Sequence, residues 1–164
     1  MDLEKARSLY MDIREKTHAL GFCFFLSGLD METEVQPMGS VAYHSQQLSV
    51  IQSMIYDWTT SGEYEEAVLS LLENRALLDE DYAHEIEVEV ENMQKIKRIP
   101  KEEYLAYGDL LNQVYPLYVQ AKTSSDYSIV RPYYQKIIDY QRKYAKWIGS
   151  DQIQGYDVLL GDYE

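Results

Sequence analysis

The sequence predicts an all-α protein, a bundle of about six long amphipathic helices, and two observations carry that reading. Apolar residues recur in alternating steps of three and four along most of the chain, the spacing of one helix face. Only 8 Gly and 4 Pro punctuate 164 residues, too few for a turn-rich β architecture.

The first stripe is Leu3, Ala6, Tyr10, Ile13, Thr17, Leu20 and Phe24. A break is expected from Gly28 to Gln36, and Pro37 suits the first turn of a second helix. That helix carries Val41, His44, Leu48, Ile51, Ile55 and Trp58, and ends between Thr59 and Gly62. A third, shorter stripe runs Tyr64, Ala67, Val68, Leu71, Leu72 and Leu78, up to a break at Leu78-Asp79. The next segment is the hard one. His84 to Glu91 alternates polar and apolar strictly, as a half-buried strand would. Extended outward, however, it gives Tyr82, Ile86, Val90, Met93 and Ile96, with Asp79-Glu80-Asp81 before it and Lys95, Lys97 and Arg98 after. Those charges suit a helix dipole at both ends. A lone strand would also find no partner. It reads as helix.

After the break at Ile99-Pro100 comes the stripe Tyr104, Tyr107, Leu111, Val114, Tyr118 and Ala121, with Glu102 and Glu103 favouring its start. Pro116 lies inside it and is expected to kink the helix or end it early. Beyond a break from Lys122 to Ser125, the last long stripe is Val130, Tyr133, Ile137, Tyr140, Tyr144 and Trp147, ending at Gly149 to Gly155. No linker or low-complexity segment divides the chain, so residues 1–164 read as a single helical domain.

Charge and composition narrow the function. With 15 Lys+Arg against 28 Asp+Glu the formal net charge is −13, which disfavours contact with a phosphate backbone; no nucleic-acid partner is expected. The longest apolar run, Gly21 to Leu26, is far short of the roughly 20 residues that span a bilayer and follows a charged segment, so neither a membrane span nor a secretory signal is expected. One cysteine, Cys23, forms no internal disulfide and sits among aromatics, where a small buried hydrophobe is expected. A cytoplasmic location fits these features. The 16 Tyr against 3 Phe mean a core built partly from rings that carry a hydroxyl, suited to the margins of helix contacts or to a cleft. From Asp57 to Gln94 twelve acidic residues face one Arg, which reads as a solvated face of two helices or as a wall that steers cationic partners.

Catalytic apparatus is not expected within these residues. His18, His44 and His84 are scattered, and the His needed four positions after His84 for a zinc-protease helix is Val88. His44, on an apolar stripe, reads as a satisfied core or cleft-facing ring. Helical spacing spreads Glu85, Glu87, Glu89 and Glu91 around their axis, and Cys23 has no neighbouring base. No catalytic, cofactor-binding or metal residue is assigned.

Two stretches carry a family resemblance. Leu26-Ser27-Gly28-Leu29-Asp30-Met31-Glu32-Thr33, followed by Pro37, Gly39 and Gln47-Leu48, resembles the early segment of the carboxypeptidase Taq family, which reads Trp-Asp-x-x-Thr and then Pro, Gly, Arg and Gln-Leu. Leu29 replaces the Trp, and Tyr43 or His44 stands where the Arg is expected. Tyr156-Asp157-Val158-Leu159-Leu160-Gly161-Asp162-Tyr163-Glu164 is similar to that family's Tyr-Asp-x-Leu-Leu-x-x-Tyr-Glu segment. Ile99-Pro100 and Pro132 fall where the family places helix starts.

The resemblance implies a longer, almost wholly helical, often homodimeric enzyme that removes C-terminal residues from peptides. Its divalent metal, zinc or cobalt, is held by a His-Glu-x-x-His helix and a distant Glu, all downstream of the Tyr-Asp-x-Leu-Leu segment. It therefore implies an N-terminal helical region of a metal-dependent carboxypeptidase, itself inactive and carrying no cofactor, with a peptide substrate in the full-length enzyme. Apolar surface left exposed by such a region is expected to drive self-association, through the stripe ending in Trp147 or around Phe22 to Leu26. The alternative is a stand-alone helical module that binds a partner protein or peptide through its Tyr-rich stripes.

Overall fold

The computed structural model describes residues 1–33 and 38–162, and among them the chain is all-α, with no strand. Seven α-helices follow one another: α1 (Leu3–Thr33), α2 (Met38–Thr59), α3 (Gly62–Glu73), α4 (Glu80–Lys97), α5 (Lys101–Ser124), α6 (Arg131–Ile148) and the short α7 (Tyr156–Leu160). Single 3-10 turns stand at Arg75–Leu77 and Tyr127–Ile129.

Local chemistry fixes the helix starts. The Asp2 carboxylate accepts from the Lys5 amide at 2.9 Å, the Ser61 hydroxyl from the Tyr64 amide at 3.2 Å, and the Asp79 carboxylate from the Tyr82 amide at 3.0 Å. Each satisfies an amide that the first helical turn leaves without an internal partner. The segment from His84 to Glu91 is helical throughout, inside α4, with Ile86, Val90 and Met93 buried as the three-four spacing requires. Glu80 and Asp81 at one end and Lys95 and Lys97 at the other complement the dipole. Pro132 opens α6, and Ser125 closes α5 in the left-handed region at φ 55°.

Three expectations about helix extent and facing need correction. The predicted break at Gly28 is absent, because α1 runs on to Thr33. An isolated glycine costs a helix only about 1 kcal/mol relative to Ala, too little to end one with more than twenty residues behind it. The rest of that break, and the first-turn position expected for Pro37, lie outside the described residues. Pro116 does not end α5, which continues to Ser124. Within the α5 stripe, Val114 and Ala121 are buried but Leu111 and Tyr118 are exposed, so the helix buries a narrower face than its sequence suggests.

The helices pack as two compact units. The first comprises Met1–Glu34 and Val50–Lys97. Here α1 packs on α3 and α3 on α4, around a core of Ala6, Tyr10, Ile13, Tyr64, Ala67, Val68, Leu71, Ile86, Val90 and Met93. The second comprises Val35–Ser49 and Arg98–Glu164, where α5 packs on α6 and α6 on α7, with Val114, Ala121, Val130, Tyr140 and Val158 buried. Ser49, at the middle of α2, donates its hydroxyl to the Asp109 carboxylate of α5.

Candidate functional site

Two features stand out, one in each unit. In the first, α1, α3 and α4 bring a set of tyrosines against two carboxylates one helical turn apart. The Tyr10 hydroxyl donates to Glu85 at 2.6 Å and the Tyr64 hydroxyl donates to Glu89 at 2.7 Å. The two rings stack with centroids 6.1 Å apart, and Tyr82 leans on Tyr10 at 5.9 Å with the Arg7 guanidinium 5.2 Å from the centre of the Tyr82 ring. Arg14 closes the group with an ion pair to Glu85 at 2.5 Å. Tyr10 and Tyr64 each bury the carbon body of the ring in the core while the hydroxyl meets an acceptor, the arrangement that makes a buried phenol tolerable; the Tyr82 hydroxyl is buried with no hydrogen-bond partner among the described residues. Burial pushes the Glu89 carboxyl above its usual range, opposed by the Tyr64 hydrogen bond. Burial and the Glu89 partner push Tyr64 far up, and burial with Glu85 does the same to Tyr10.

This cluster joins three helices, and the Tyr10 and Tyr64 hydroxyls are spent on its own two carboxylates. Much of the acidic block is similarly engaged. Glu65 pairs with Lys97 at 2.5 Å, Glu66 with the N-terminal amine at 3.0 Å, and Glu87 with Arg75. Two of the twelve carboxylates, Glu85 and Glu89, thus turn inward rather than forming a wholly solvated face.

The second feature is a groove of about 910 Å³ bounded by α6, the loop Gly149–Gly155 and α7. Its lining includes the aliphatic side chains of Ile137, Ala145 and Leu159, with Ile138, Arg142 and Lys146 at successive turns of α6. The loop is held by its own hydrogen bonds: Ser150 N donates to the Ile153 carbonyl at 2.9 Å, and the Ser150 hydroxyl accepts from the amides of Gln152 and Ile153. Gly149 is required there. A Cβ would sit 2.6 Å from the Ala145 carbonyl oxygen and 3.2 Å from that of Ile153. Gly149→Ala should therefore lower stability by about 1–3 kcal/mol, the usual cost of overpacking, read as a shift in the urea midpoint. Gly21→Ala, with nothing within 4 Å, is the control and should be neutral or mildly stabilising.

Between α5 and α6 a smaller cleft of about 420 Å³ contains Tyr107 and Tyr140, stacked 3.8 Å apart and nearly parallel. Gln141 donates to the Tyr107 hydroxyl at 2.8 Å, and Lys143 pairs with Glu103 at 2.6 Å.

The histidines and the cysteine do not converge. His18 lies exposed on α1, and His84 lies exposed on α4 with its ring nitrogen 3.7 Å from Glu87. The expectation of a satisfied His44 is not met: its Nδ1 is buried with no hydrogen-bond partner among the described residues, as is the Ser45 hydroxyl beside it. Cys23 is exposed rather than buried, because the second half of α1 turns Phe22, Cys23, Phe25 and Leu26 outward. No group of three or more His, Cys, Asp or Glu able to hold a metal comes together among the described residues. The described residues therefore supply no set that fits the zinc or cobalt the resemblance implies. No helix among them is long and apolar enough to cross a membrane.

Sequence reasoning missed the Tyr–Glu pairs and the groove. The pairs have a faint signal, Glu85 and Glu89 flanking buried Ile86 on one face of α4. The groove has a clearer one: cations at Arg142 and Lys146 in register with Ile138, then a Gly-bounded loop.

Comparison with known proteins gives a consistent picture. The pattern of the carboxypeptidase Taq (M32) metallopeptidase family matches residues 11–164. Carboxypeptidase 1 of Bacillus subtilis (strain 168) is 23% identical over 164 residues, all of this chain and 32% of its own length. The crystal structure of BsuCP superposes with a TM-score of 0.88 at 22% identity, covering 96% of this chain and 31% of that one. The structure of CHT does so with a TM-score of 0.73 at 22% identity, over 98% and 32%. The chain thus spans about a third of the length of the relatives it matches.

Proposed function

The chain belongs to the carboxypeptidase Taq (M32) metallopeptidase family, and from that premise we propose that it is the N-terminal helical region of a metal-dependent carboxypeptidase that removes C-terminal residues from peptides. The observation that carries this reading is the family match over residues 11–164, together with a helical frame shared with BsuCP. The role of these residues is to form a helical wall of the enzyme. Peptide is the substrate and zinc or cobalt the metal of the whole enzyme; the described residues bring no ligand set for it together. An exposed free thiol at Cys23 is best kept in a reducing compartment, which supports a cytoplasmic location.

Self-association belongs to the same reading. Phe22, Phe25, Leu26 and Leu29 repeat at i, i+3, i+4 and i+7 along α1, and all four are between 45% and 62% exposed. An apolar helix face of that kind is a partner-binding surface. Light scattering across a wide concentration range should give a mass above that of the monomer, and Phe25→Glu should return it to the monomer.

Activity tests the main proposal. The purified chain, incubated with a blocked tripeptide and zinc or cobalt, should release no C-terminal residue and show no stoichiometric metal uptake by calorimetry. Water activation by zinc needs about three protein ligands and an open position, and that set is missing among the described residues. Tight 1:1 binding with chelator-sensitive release would overturn the reading.

A further inference from the structure

The use of 16 Tyr against 3 Phe is not explained by packing, since a Phe fills nearly the same volume and brings no hydroxyl into the interior. The peptidase reading uses none of these rings. In the second unit four aromatic side chains of α5 and α6 form a connected array. Tyr107 and Tyr140 lie face to face, 3.8 Å between centroids and 2° from parallel. The Trp147 indole meets Tyr140 edge-on at 5.9 Å, and Tyr144 stacks on Tyr140 at 6.4 Å. All of these contacts are internal to Arg98–Glu164, so the array does not depend on which faces of the chain a longer protein covers.

The chemistry of the rings gives the array a direction. Indole and phenol are the two side-chain ring systems that a one-electron oxidant attacks most readily, and at neutral pH an oxidised indole is reduced by a phenol. Rings this close exchange an electron directly. Tyr140, in the middle, is buried, and burial pushes its phenol above the ordinary range, so that ring holds its proton and is a poor resting place. Tyr107 differs. Its oxygen accepts a hydrogen bond from the Gln141 side chain at 2.8 Å, a donor that steadies electron density left on that oxygen once its own proton has gone.

We propose that Trp147, Tyr140 and Tyr107 form a one-electron relay that carries an oxidising equivalent from the indole to the Tyr107 phenol. The oxidant is a diffusible one-electron acceptor of the radical class. It takes one electron from Trp147, is reduced by one, and the indole N–H proton passes to water. The indolyl radical then takes one electron from the phenol pair through Tyr140, and its nitrogen regains a proton from water. Tyr107 loses one electron and its hydroxyl proton and ends as the phenoxyl radical. The net change is one O–H bond broken at Tyr107, one electron delivered to the oxidant and one proton to water. The relay is independent of the peptidase assignment.

Pulse radiolysis of the whole chain in azide solution tests it, because the azide radical oxidises indoles in preference to phenols. The chain has two tryptophans, so Trp58→Phe leaves Trp147 as its one indole. In that variant the indolyl absorption should decay as the tyrosyl absorption rises, at a rate independent of protein concentration. Adding Tyr140→Phe keeps the ring and its packing but interrupts the relay with a side chain far harder to oxidise, and the transfer should be lost. Adding Tyr144→Phe should leave it intact. The same series without Trp58→Phe guards against a folding defect in that variant: there Trp147→Phe and Tyr140→Phe should remove the same kinetic phase. The resting place is read by electron paramagnetic resonance of frozen samples. Gln141→Leu should preserve the transfer and shift the g-anisotropy of the tyrosyl signal, since the phenoxyl oxygen loses its donor. Transfer that survives Tyr140→Phe, a rate that rises with protein concentration, or a tyrosyl signal indifferent to Gln141→Leu would each overturn the proposal.

Discussion

Leu71→Ala is expected to lower the unfolding free energy by about 2–5 kcal/mol, the range for truncating a fully buried aliphatic side chain. Leu71 is 0% exposed and, with Ile86, Met93 and Val68, is among the largest side chains completely removed from solvent. It lies on α3, which packs on α1 and on α4. A cavity opened there has helices on both sides, and a close-packed interior relaxes into such a gap only partly. Leu77→Ala, six residues on, provides the contrast. Leu77 is 73% exposed on the 3-10 turn, and its truncation should change stability by less than about 0.5 kcal/mol. Urea unfolding followed by circular dichroism measures both. Equal effects would mean that α3 is not the centre of this unit.

That centre was readable before the structure. Leu71, Val68, Ala67 and Tyr64 follow the three-four spacing closely, and α3 buries all of them. The same spacing resolves the His84 to Glu91 segment, whose alternation satisfies a strand locally while Ile86, Val90 and Met93 satisfy a helix over a longer window. Length of pattern decided, because a packed helix needs one consistent face over many turns. Where the pattern failed, a particular physical term was invisible. Nothing in the α5 stripe distinguishes Leu111 and Tyr118 from Val114 and Ala121, since burial depends on how broad a face its neighbours cover. Nothing in Gly28 tells whether a long preceding helix will carry through it.

The site was legible in outline only. Composition placed tyrosine rings where a hydroxyl can find an acceptor, as Tyr10 and Tyr64 do and the buried Tyr82 hydroxyl does not, but it could not say which acceptors, because Tyr10 meets Glu85 across 75 positions of sequence. The acidic block looked like solvent-facing charge for the same reason: partners contributed by another helix leave no mark on the local sequence. The groove is partly legible in hindsight. Ile138, Arg142 and Lys146 stand at steps of four, but the enclosing wall is made by α7, whose position depends on the turn that Gly149 permits.

Alkaline pH should unfold this protein through the tyrosine–carboxylate cluster, with stability lost as pH rises above about 10, the ordinary phenol range. Tyr10 and Tyr64 are each 2% exposed, and each donates its one hydroxyl proton to a carboxylate. Ionising either phenol removes the donor and leaves two anions within 2.7 Å, so the folded protein holds these protons far more tightly than the unfolded chain does. The sign follows from linkage. A group whose folded pKa is raised binds more protons folded than unfolded at high pH, so stability is complete below the unfolded value and falls as pH rises past it. Glu89, also raised, slopes the same way at acidic pH: the fold takes up its proton first, so mild acidification costs nothing through this carboxyl. At pH 12 each ring should remove roughly 1–3 kcal/mol, since each pH unit above the unfolded pKa contributes at most about 1.4 kcal/mol. Tyr64→Phe separates this from general charge repulsion. It should lower stability at pH 7 by about 1–3 kcal/mol, because Glu89 loses its donor, and flatten the loss between pH 10 and 12. Urea midpoints measured at pH 7, 10, 11 and 12 decide it. An alkaline slope identical in the wild type and in Tyr64→Phe would show that the chain's overall negative charge, not this cluster, drives the transition.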